Sequence, residues 1–63
     1  MITMRPILLT NTDGEKIVLN ANVILSVIPR KKGTEVSFTD LSYYIHDVIV
    51  QETPEAIFSM LRN

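Results

Sequence analysis

His46 and Asp47 are adjacent in the chain and have the residue types of a catalytic base and the carboxylate that orients it. A histidine works as a general base when a carboxylate accepts a hydrogen bond from its other ring nitrogen. Neighbouring residues of a β-strand point to opposite faces of the sheet, so this pair cannot hydrogen-bond without a local distortion. The pattern therefore predicts a bulge or a solvent-facing pair at these two positions.

No other arrangement in the sequence is typical of catalysis or of cofactor binding. No serine lies in a glycine-flanked elbow, and Gly14 and Gly33 belong to separate turns, which excludes a glycine-rich phosphate loop. The acidic residues that could bind a metal are spread over a predicted turn, strand and helix start: Asp40, Asp47, Glu52 and Glu55. We therefore expect a protein that is not an enzyme and binds no metal or cofactor.

Three consecutive cations, Arg30, Lys31 and Lys32, are the most concentrated charge feature of the sequence. On a hairpin tip they could bind phosphate groups, in particular if a symmetric oligomer presented several copies. The net charge of −1 favours a solvated tip, as does the fact that only Tyr43 and Tyr44 could stack on bases. Nucleic-acid binding through the three cations is the alternative function.

The length of 63 residues predicts one small domain, residues 1–63, with 1–5 as a flexible N terminus. A chain of this size buries only about 60% of the surface that its unfolded form exposes. It has no cysteine and one histidine, so neither disulfides nor a structural zinc site is expected to add stability. We expect self-association or another protein to provide the stability that the small core does not.

The composition, 46% hydrophobic and 21% charged, predicts a chain that folds. Its apolar runs are too short to span a bilayer, and its first residues lack the charged-then-apolar order of a secretory signal. The net charge of −1 provides no general attraction to an anionic membrane. We therefore expect a cytoplasmic protein that does not bind membranes.

Turn residues divide the chain into short segments with the character of β-strands. Asp13 and Gly14 predict a hairpin turn, and Lys32 with Gly33 predicts a second one. The predicted strands cover residues 7–10, 16–19, 23–28, 34–39 and 43–50. The last segment is too irregular for one flat strand, and a bulge at His46–Asp47 would bring its two halves into phase.

Strand 23–28 is predicted to be covered on both faces. A strand exposed on one side alternates apolar with polar residues, whereas this one is apolar on both faces. The second face, one outward-pointing tyrosine and the unprotected sheet edges indicate a contact with another copy or another protein. The candidate interface residues are Ile24, Ser26, Ile28 and Tyr44.

Residues 54–62 are predicted to form the single, C-terminal helix. Thr53 is a preferred N-cap residue, and Pro54 suits the first helical position. Ile57, Met60 and Leu61 recur at helical spacing, so they would form the face that docks on the sheet. The predicted fold class is α+β: a four- to five-stranded antiparallel meander, open or strongly curled, with one helix over one face.

A series of turn glycines and apolar strand residues carries a family resemblance. The matching positions are Gly14, Leu19, Asn20, Ile24, Gly33, Val50, Glu52 and Ile57. In this order, from Leu8 to Leu61, the chain resembles the small FlbD-type flagellar proteins and their uncharacterised bacterial and phage relatives. The resemblance implies a non-enzymatic protein of motility or phage origin, and it provides no catalytic residue.

The sequence therefore predicts a small protein that acts by self-association and protein–protein contact. A homo-oligomer is the expected state, with a further protein partner of unknown identity. Nucleic-acid binding through Arg30, Lys31 and Lys32 is retained as the alternative.

Overall fold

The computed structural model describes residues 3–63; Met1 and Ile2, part of the predicted N-terminal segment, lie outside the described residues. The elements in chain order are β1 (Pro6–Thr10), β2 (Lys16–Asn20), a 3₁₀ turn (Ala21–Val23), β3 (Ile24–Arg30), β4 (Gly33–Thr39), β5 (Ile45–Val50) and α1 (Pro54–Arg62). The α+β class is confirmed, because five antiparallel strands are followed by one C-terminal helix.

The prediction of a single meander sheet is wrong. β1 and β2 form a two-stranded sheet, β3, β4 and β5 form a three-stranded one, and neither is strongly curled. The division falls at the 3₁₀ turn between β2 and β3. The Asn20 side chain accepts a hydrogen bond from the Asn22 amide at 3.1 Å and caps the turn. β3 begins directly after this turn and pairs with β4, not with β2.

The two sheets meet at one corner. Asn11, just beyond β1, forms an isolated antiparallel bridge with Val50 at the end of β5. The Gln51 amide donates to the Thr10 carbonyl at 2.7 Å, and the Gln51 side chain donates to the Asn11 carbonyl at 2.9 Å. Within the described chain, the strand pairing between the two sheets is therefore limited to this one bridge.

The core lies between the sheets and the helix. Leu9, Val36, Val50 and Ile57 are fully buried, and they come from β1, β4, β5 and α1. Partly buried residues pack around them: Ile7, Ile17, Leu19, Ile24, Val27, Val48, Met60 and Leu61. The predicted apolar stripe of the helix is therefore the face that docks, and the core joins all the major elements.

A β-bulge in β3 changes which residues of that strand point inward. The pairing with β4 shifts between Ile24 and Ser26, and Leu25 is the extra residue, with 56% of its surface exposed. Ile24 and Val27 both pack against the core. The prediction that Ile24 shares a face with Ser26 and Ile28 is therefore wrong, because the bulge reverses the phase of the strand at Leu25.

The bulge predicted at His46–Asp47 is absent from β5. β5 pairs with β4 residue for residue from Ile45 to Val50. Tyr43 lies outside the strand at a φ of 64°, and Ile45 is exposed. Residues 43–47 are all exposed, so they have no buried face that would need to match the buried face of Val48 and Val50.

A polar joint fixes the first sheet to the segment before the helix. The Glu52 carboxylate accepts hydrogen bonds from the Thr10 amide at 2.8 Å and from the Thr10 hydroxyl at 2.9 Å. Lys16 Nζ donates to the same hydroxyl at 2.7 Å. Partial burial raises the pKa of Glu52, but the Thr10 hydrogen bonds and the Lys16 charge outweigh it and leave the pKa below its ordinary value.

Candidate interaction surface

The loop between β4 and β5 is organised by the Asp40 side chain. Asp40 Oδ1 accepts hydrogen bonds from the amides of Ser42 at 2.8 Å and Tyr44 at 3.2 Å. The backbone closes the same loop, since the Asp40 amide donates to the Tyr44 carbonyl at 3.2 Å and the Tyr43 amide donates to the Asp40 carbonyl at 3.1 Å. An aspartate whose side chain satisfies nearby amides is the usual device for holding a tight turn.

His46 ties this loop to the three-stranded sheet. Its Nε2 lies 2.8 Å from Asp40 Oδ2, and its ring stacks on Phe38, its cross-strand neighbour, at a centroid distance of 5.5 Å. The His46 hydrogen bond lowers the pKa of Asp40, and the Ser42 and Tyr44 amides act in the same direction against a smaller effect of burial. Asp40 is therefore ionised at neutral pH, and the Nε2 that faces it carries the proton.

The tight loop turns large apolar side chains outward. Tyr43 is 87% exposed and Leu41 is 81% exposed, and Tyr44 and Ile45 are exposed beside them. Large side chains of this kind are seldom left in water together unless they contact something. We call this surface the apolar end, and it consists of Met4, Val23, Leu41, Tyr43, Tyr44 and Ile45.

The N-terminal segment forms a wall of the apolar end. The Arg5 amide donates to Asn20 Oδ1 at 3.1 Å, and the Ala21 amide donates to the Arg5 carbonyl at 2.8 Å. Asn22 Nδ2 also donates to the Thr3 carbonyl at 2.8 Å. These hydrogen bonds hold Met4 beside the 3₁₀ turn.

A hollow of about 410 Å³ opens within the apolar end. Its lining comes from the N-terminal segment, the 3₁₀ turn and the β4–β5 loop: Met4, Asn20, Val23, Thr39, Asp40 and Leu41. The volume falls within the range of roughly 300–1,000 Å³ that is usual for sites that enclose a small molecule or a large side chain. The hollow could therefore accept an apolar group of a partner.

The basic tip, which we define as Arg30, Lys31 and Lys32, lies at the opposite end of the three-stranded sheet. β3 and β4 turn there, whereas β4 and β5 turn at the apolar end. Arg30 Nε lies 3.3 Å from Glu35 Oε1, so the Glu35 carboxylate partly neutralises the charge of Arg30. Lys31 and Lys32 are exposed. The two candidate surfaces are therefore separated by the length of the sheet.

The predicted interface residues do not form one surface. Ile24 points inward and packs against the core, because of the bulge at Leu25. Ser26 and Ile28 lie on the outer face of the three-stranded sheet, where Ser26 pairs with Ser37 of β4. Of the four residues, only Tyr44 lies at the apolar end.

Sequence reasoning missed most of the apolar end. The sequence predicts a flexible terminus for Met4 and a strand for Tyr43, and it leaves Leu41 in the segment between two predicted strands. The usable signal was a large apolar residue, Leu41, directly after a turn-forming aspartate, because such a residue is held outward. Nothing in the local pattern indicated that the N terminus would lie beside it.

The residues considered for catalysis and metal binding are separated. His46 pairs with Asp40 and not with Asp47, whose Oδ1 accepts from Ser37 Oγ at 2.6 Å. The two neighbours thus lie on opposite faces of β5, as strand geometry predicts. Among residues 3–63, no group of three or more His, Asp and Glu side chains is placed to hold a metal ion. Within the same range no helix is long and apolar enough to cross a membrane.

Comparisons with family models, with curated proteins and with solved structures find no match to this chain. The resemblance to FlbD-type proteins therefore stays a prediction.

Proposed function

We propose that this chain is a small, non-enzymatic, cytoplasmic protein that acts by self-association and contact with another protein through the apolar end. The observation that supports the proposal is the exposure of Leu41 and Tyr43 on a hydrogen-bonded loop beside a hollow of about 410 Å³. Exposed apolar surface of this kind, bounded by polar residues, is typical of protein–protein interfaces.

Preorganisation of the loop favours binding. Immobilising a mobile side chain or loop on association costs about 0.5–1.5 kcal/mol for each side chain with many rotamers. Here the Asp40 hydrogen bonds to Ser42, Tyr44 and His46 already hold the loop in one conformation. Aromatic and aliphatic groups on a fixed loop can therefore contribute burial energy with little ordering cost.

Paired surface variants test the proposal. Leu41→Ser with Tyr44→Ser removes apolar area from the apolar end, whereas Leu8→Thr with Val18→Thr removes it elsewhere. Leu8 and Val18 are a suitable control because they are cross-strand partners in the first sheet, 52% and 62% exposed. Threonine retains β-propensity, so the control should fold.

Sedimentation equilibrium up to high micromolar concentration gives the first measurement, and affinity capture from a cell extract gives the second. We expect the wild type and the Leu8/Val18 control to self-associate and to capture the same protein. The Leu41/Tyr44 variant should remain at 7.2 kDa and capture less. A wild type that stays monomeric and captures nothing, or equal behaviour of all three proteins, would contradict the proposal.

Nucleic-acid binding through the basic tip is the second candidate, supported by the exposure of Lys31 and Lys32 on a hairpin. When cations neutralise phosphates, the logarithm of the binding constant falls with the logarithm of the salt concentration, with a slope of about −0.9 for each phosphate contact. The test is a mobility shift at several salt concentrations with the Arg30/Lys31/Lys32→Ala variant. Binding that weakens with salt and is lost in the variant would favour this candidate over the first.

A motility- or phage-related role is proposed only on the family resemblance. It predicts that the gene lies among flagellar or phage structural genes. Regulatory genes in that position would count against it.

A further inference from the structure

We infer that the protein partner of the apolar end is a second copy of this chain, with Tyr43 of each copy inserted in the hollow of the other. The inference rests on the proposed function and names the partner of the same surface. It requires that one surface carry both a projecting group and a cavity that can receive it.

The apolar end meets this requirement. Tyr43 projects from the β4–β5 loop, and Asp40 and Leu41 of the same loop line the hollow. In a two-fold dimer the same patch contacts itself, so that residue i meets residue j and residue j meets residue i. A projection and a cavity on one patch can therefore each meet the other in a two-fold copy.

The backbone of Tyr43 supports a role for its side chain outside the monomer. Its φ of 64° is the only positive value among the non-glycine residues of the described chain. A bulky residue in this region is disfavoured, and glycine or asparagine would satisfy the turn at lower cost. The ring makes no stacking contact within the described chain that would explain its retention. A ring that is held outward at a cost in strain indicates a contact beyond the monomer.

The chemistry of the hollow suits a tyrosine. Met4, Val23 and Leu41 provide an apolar lining for the ring, and Asn20 and Asp40 contribute polar side chains to the same lining. A tyrosine has an apolar body and a hydroxyl that needs a hydrogen-bond partner when it is buried. The Asp40 carboxylate, which the loop and His46 keep ionised, and the Asn20 amide provide partners of the right type.

The available area fits a small dimer. The two exposed tyrosines alone offer roughly 300 Å² of contact area on each copy. Met4, Leu41 and Ile45 are also exposed and add further apolar surface. A standard interface buries about 800 Å² on each partner, so a dimer formed by this end lies toward the lower part of the size range.

Tyr43→Gly is the decisive variant, because it separates folding from association. Glycine adopts a positive φ without a steric penalty, so the variant should fold at least as readily at this turn. It removes the whole projecting ring. Tyr43→Phe keeps the ring and serves as the matched control, and it should reduce dimer formation only by the loss of one hydrogen bond.

The experiment combines sedimentation equilibrium with intermolecular nuclear Overhauser effects in a mixture of labelled and unlabelled chains. We expect the wild type to dimerise and to give contacts from Tyr43 ring protons of one copy to Met4 and Val23 methyl groups of the other. Tyr43→Gly should stay monomeric over the concentration range in which the wild type is dimeric, while circular dichroism shows a folded chain.

A dimer that survives Tyr43→Gly but is lost in the Leu41/Tyr44 variant would overturn this inference and leave the proposed function intact. A dimer that survives both variants would overturn both. A wild type that is monomeric but captures a different protein through Leu41 and Tyr44 would overturn the second copy as the partner.

Discussion

At the scale of single residues, Glu52 is a charged side chain that joins the first sheet to the segment before the helix. Its pKa is below the ordinary value of 4.5, mainly because the Thr10 hydrogen bonds outweigh the effect of burial. The unfolded chain therefore binds a proton at this site more readily than the folded one. The resulting stabilisation is present above about pH 4.5, and it is lost as the pH falls through the lower, folded-state pKa.

We expect Glu52→Gln to lower the free energy of unfolding at neutral pH by about 1 kcal/mol, because a charge-assisted hydrogen bond is replaced by a neutral one. The difference between variant and wild type should shrink as the pH falls below the ordinary pKa of glutamate. Urea unfolding followed by circular dichroism from neutral to acidic pH measures it. Glu55→Gln, at an exposed position in the first turn of α1, is the control. A difference that stays constant with pH would show that the Glu52 charge is not linked to folding.

Thr53 is the second residue with a separable effect. Its Oγ1 accepts a hydrogen bond from the Ala56 amide at 3.1 Å and caps α1. Thr53→Ala should cost about 1 kcal/mol of unfolding free energy. Ser59→Ala, on the exposed face of the same helix, should cost little, and equal losses in the two variants would argue against the cap.

At the scale of elements, the hairpin turn at Gly33 controls how β4 packs beside β5. A Cβ at Gly33 would lie 2.5 Å from the Val50 carbonyl oxygen, at a φ of 149°. Gly14 also has a positive φ, of 85°, but a Cβ there would meet nothing within 4 Å. The two glycines therefore separate the backbone penalty from the steric one.

We expect Gly14→Ala to cost about 1 kcal/mol and Gly33→Ala about 3 kcal/mol or more, since the Val50 carbonyl cannot move without breaking the β4–β5 pairing. Thermal and urea unfolding of both variants provides the comparison. Equal losses would mean that the close approach at Gly33 relaxes without cost.

The helix α1 is the second element with a clear test. Ile57→Asp would bury an unpaired charge in the core, and its cost should approach the whole stability of a domain of this size, about 5 kcal/mol. Leu61→Asp should act in the same direction, and Phe58→Asp, on the exposed face, should cost far less. A melting temperature unchanged by Ile57→Asp would show that the helix does not dock on the sheets.

The elements also show how far sequence reasoning reached. Thr53, Pro54 and the spacing from Ile57 to Leu61 are local signals, and α1 forms where they predict it. The bulge at Leu25 is different, because its position depends on which residues of β4 face β3. A period-2 pattern in one strand contains no information about its partner, so it cannot predict that Ile24 and Val27 share the inner face.

At the scale of the whole molecule, pairing between strands distant in sequence was the least predictable feature. The turn that divides the sheets depends on one capping side chain, Asn20, which the sequence alone could not distinguish from an ordinary loop residue. The same side chain holds the N-terminal segment beside the hollow. The apolar end is assembled from three separate segments, so no local pattern could have located it.

Self-association predicts that stability depends on protein concentration. Only folded chains form the dimer, so dimer formation stabilises the native state by mass action. We expect the melting temperature of the wild type to rise when its concentration is increased about a hundredfold, by an amount corresponding to up to about 2.7 kcal/mol for each mole of dimer, which is half of that for each chain. Tyr43→Gly should melt at one temperature at every concentration. A wild-type melting temperature that is independent of concentration would contradict a folded-state dimer.

The corner at which Asn11 meets Val50 has a consequence for the order of folding. Each sheet is built from strands that are neighbours in the chain, so its pairing requires only short loops to close. The bridge at the corner, and the hydrogen bond from Gln51 to Thr10, join residues about forty positions apart. We therefore expect docking through this corner to follow the pairing within each sheet, so that Leu9 and Val50 become buried late in folding.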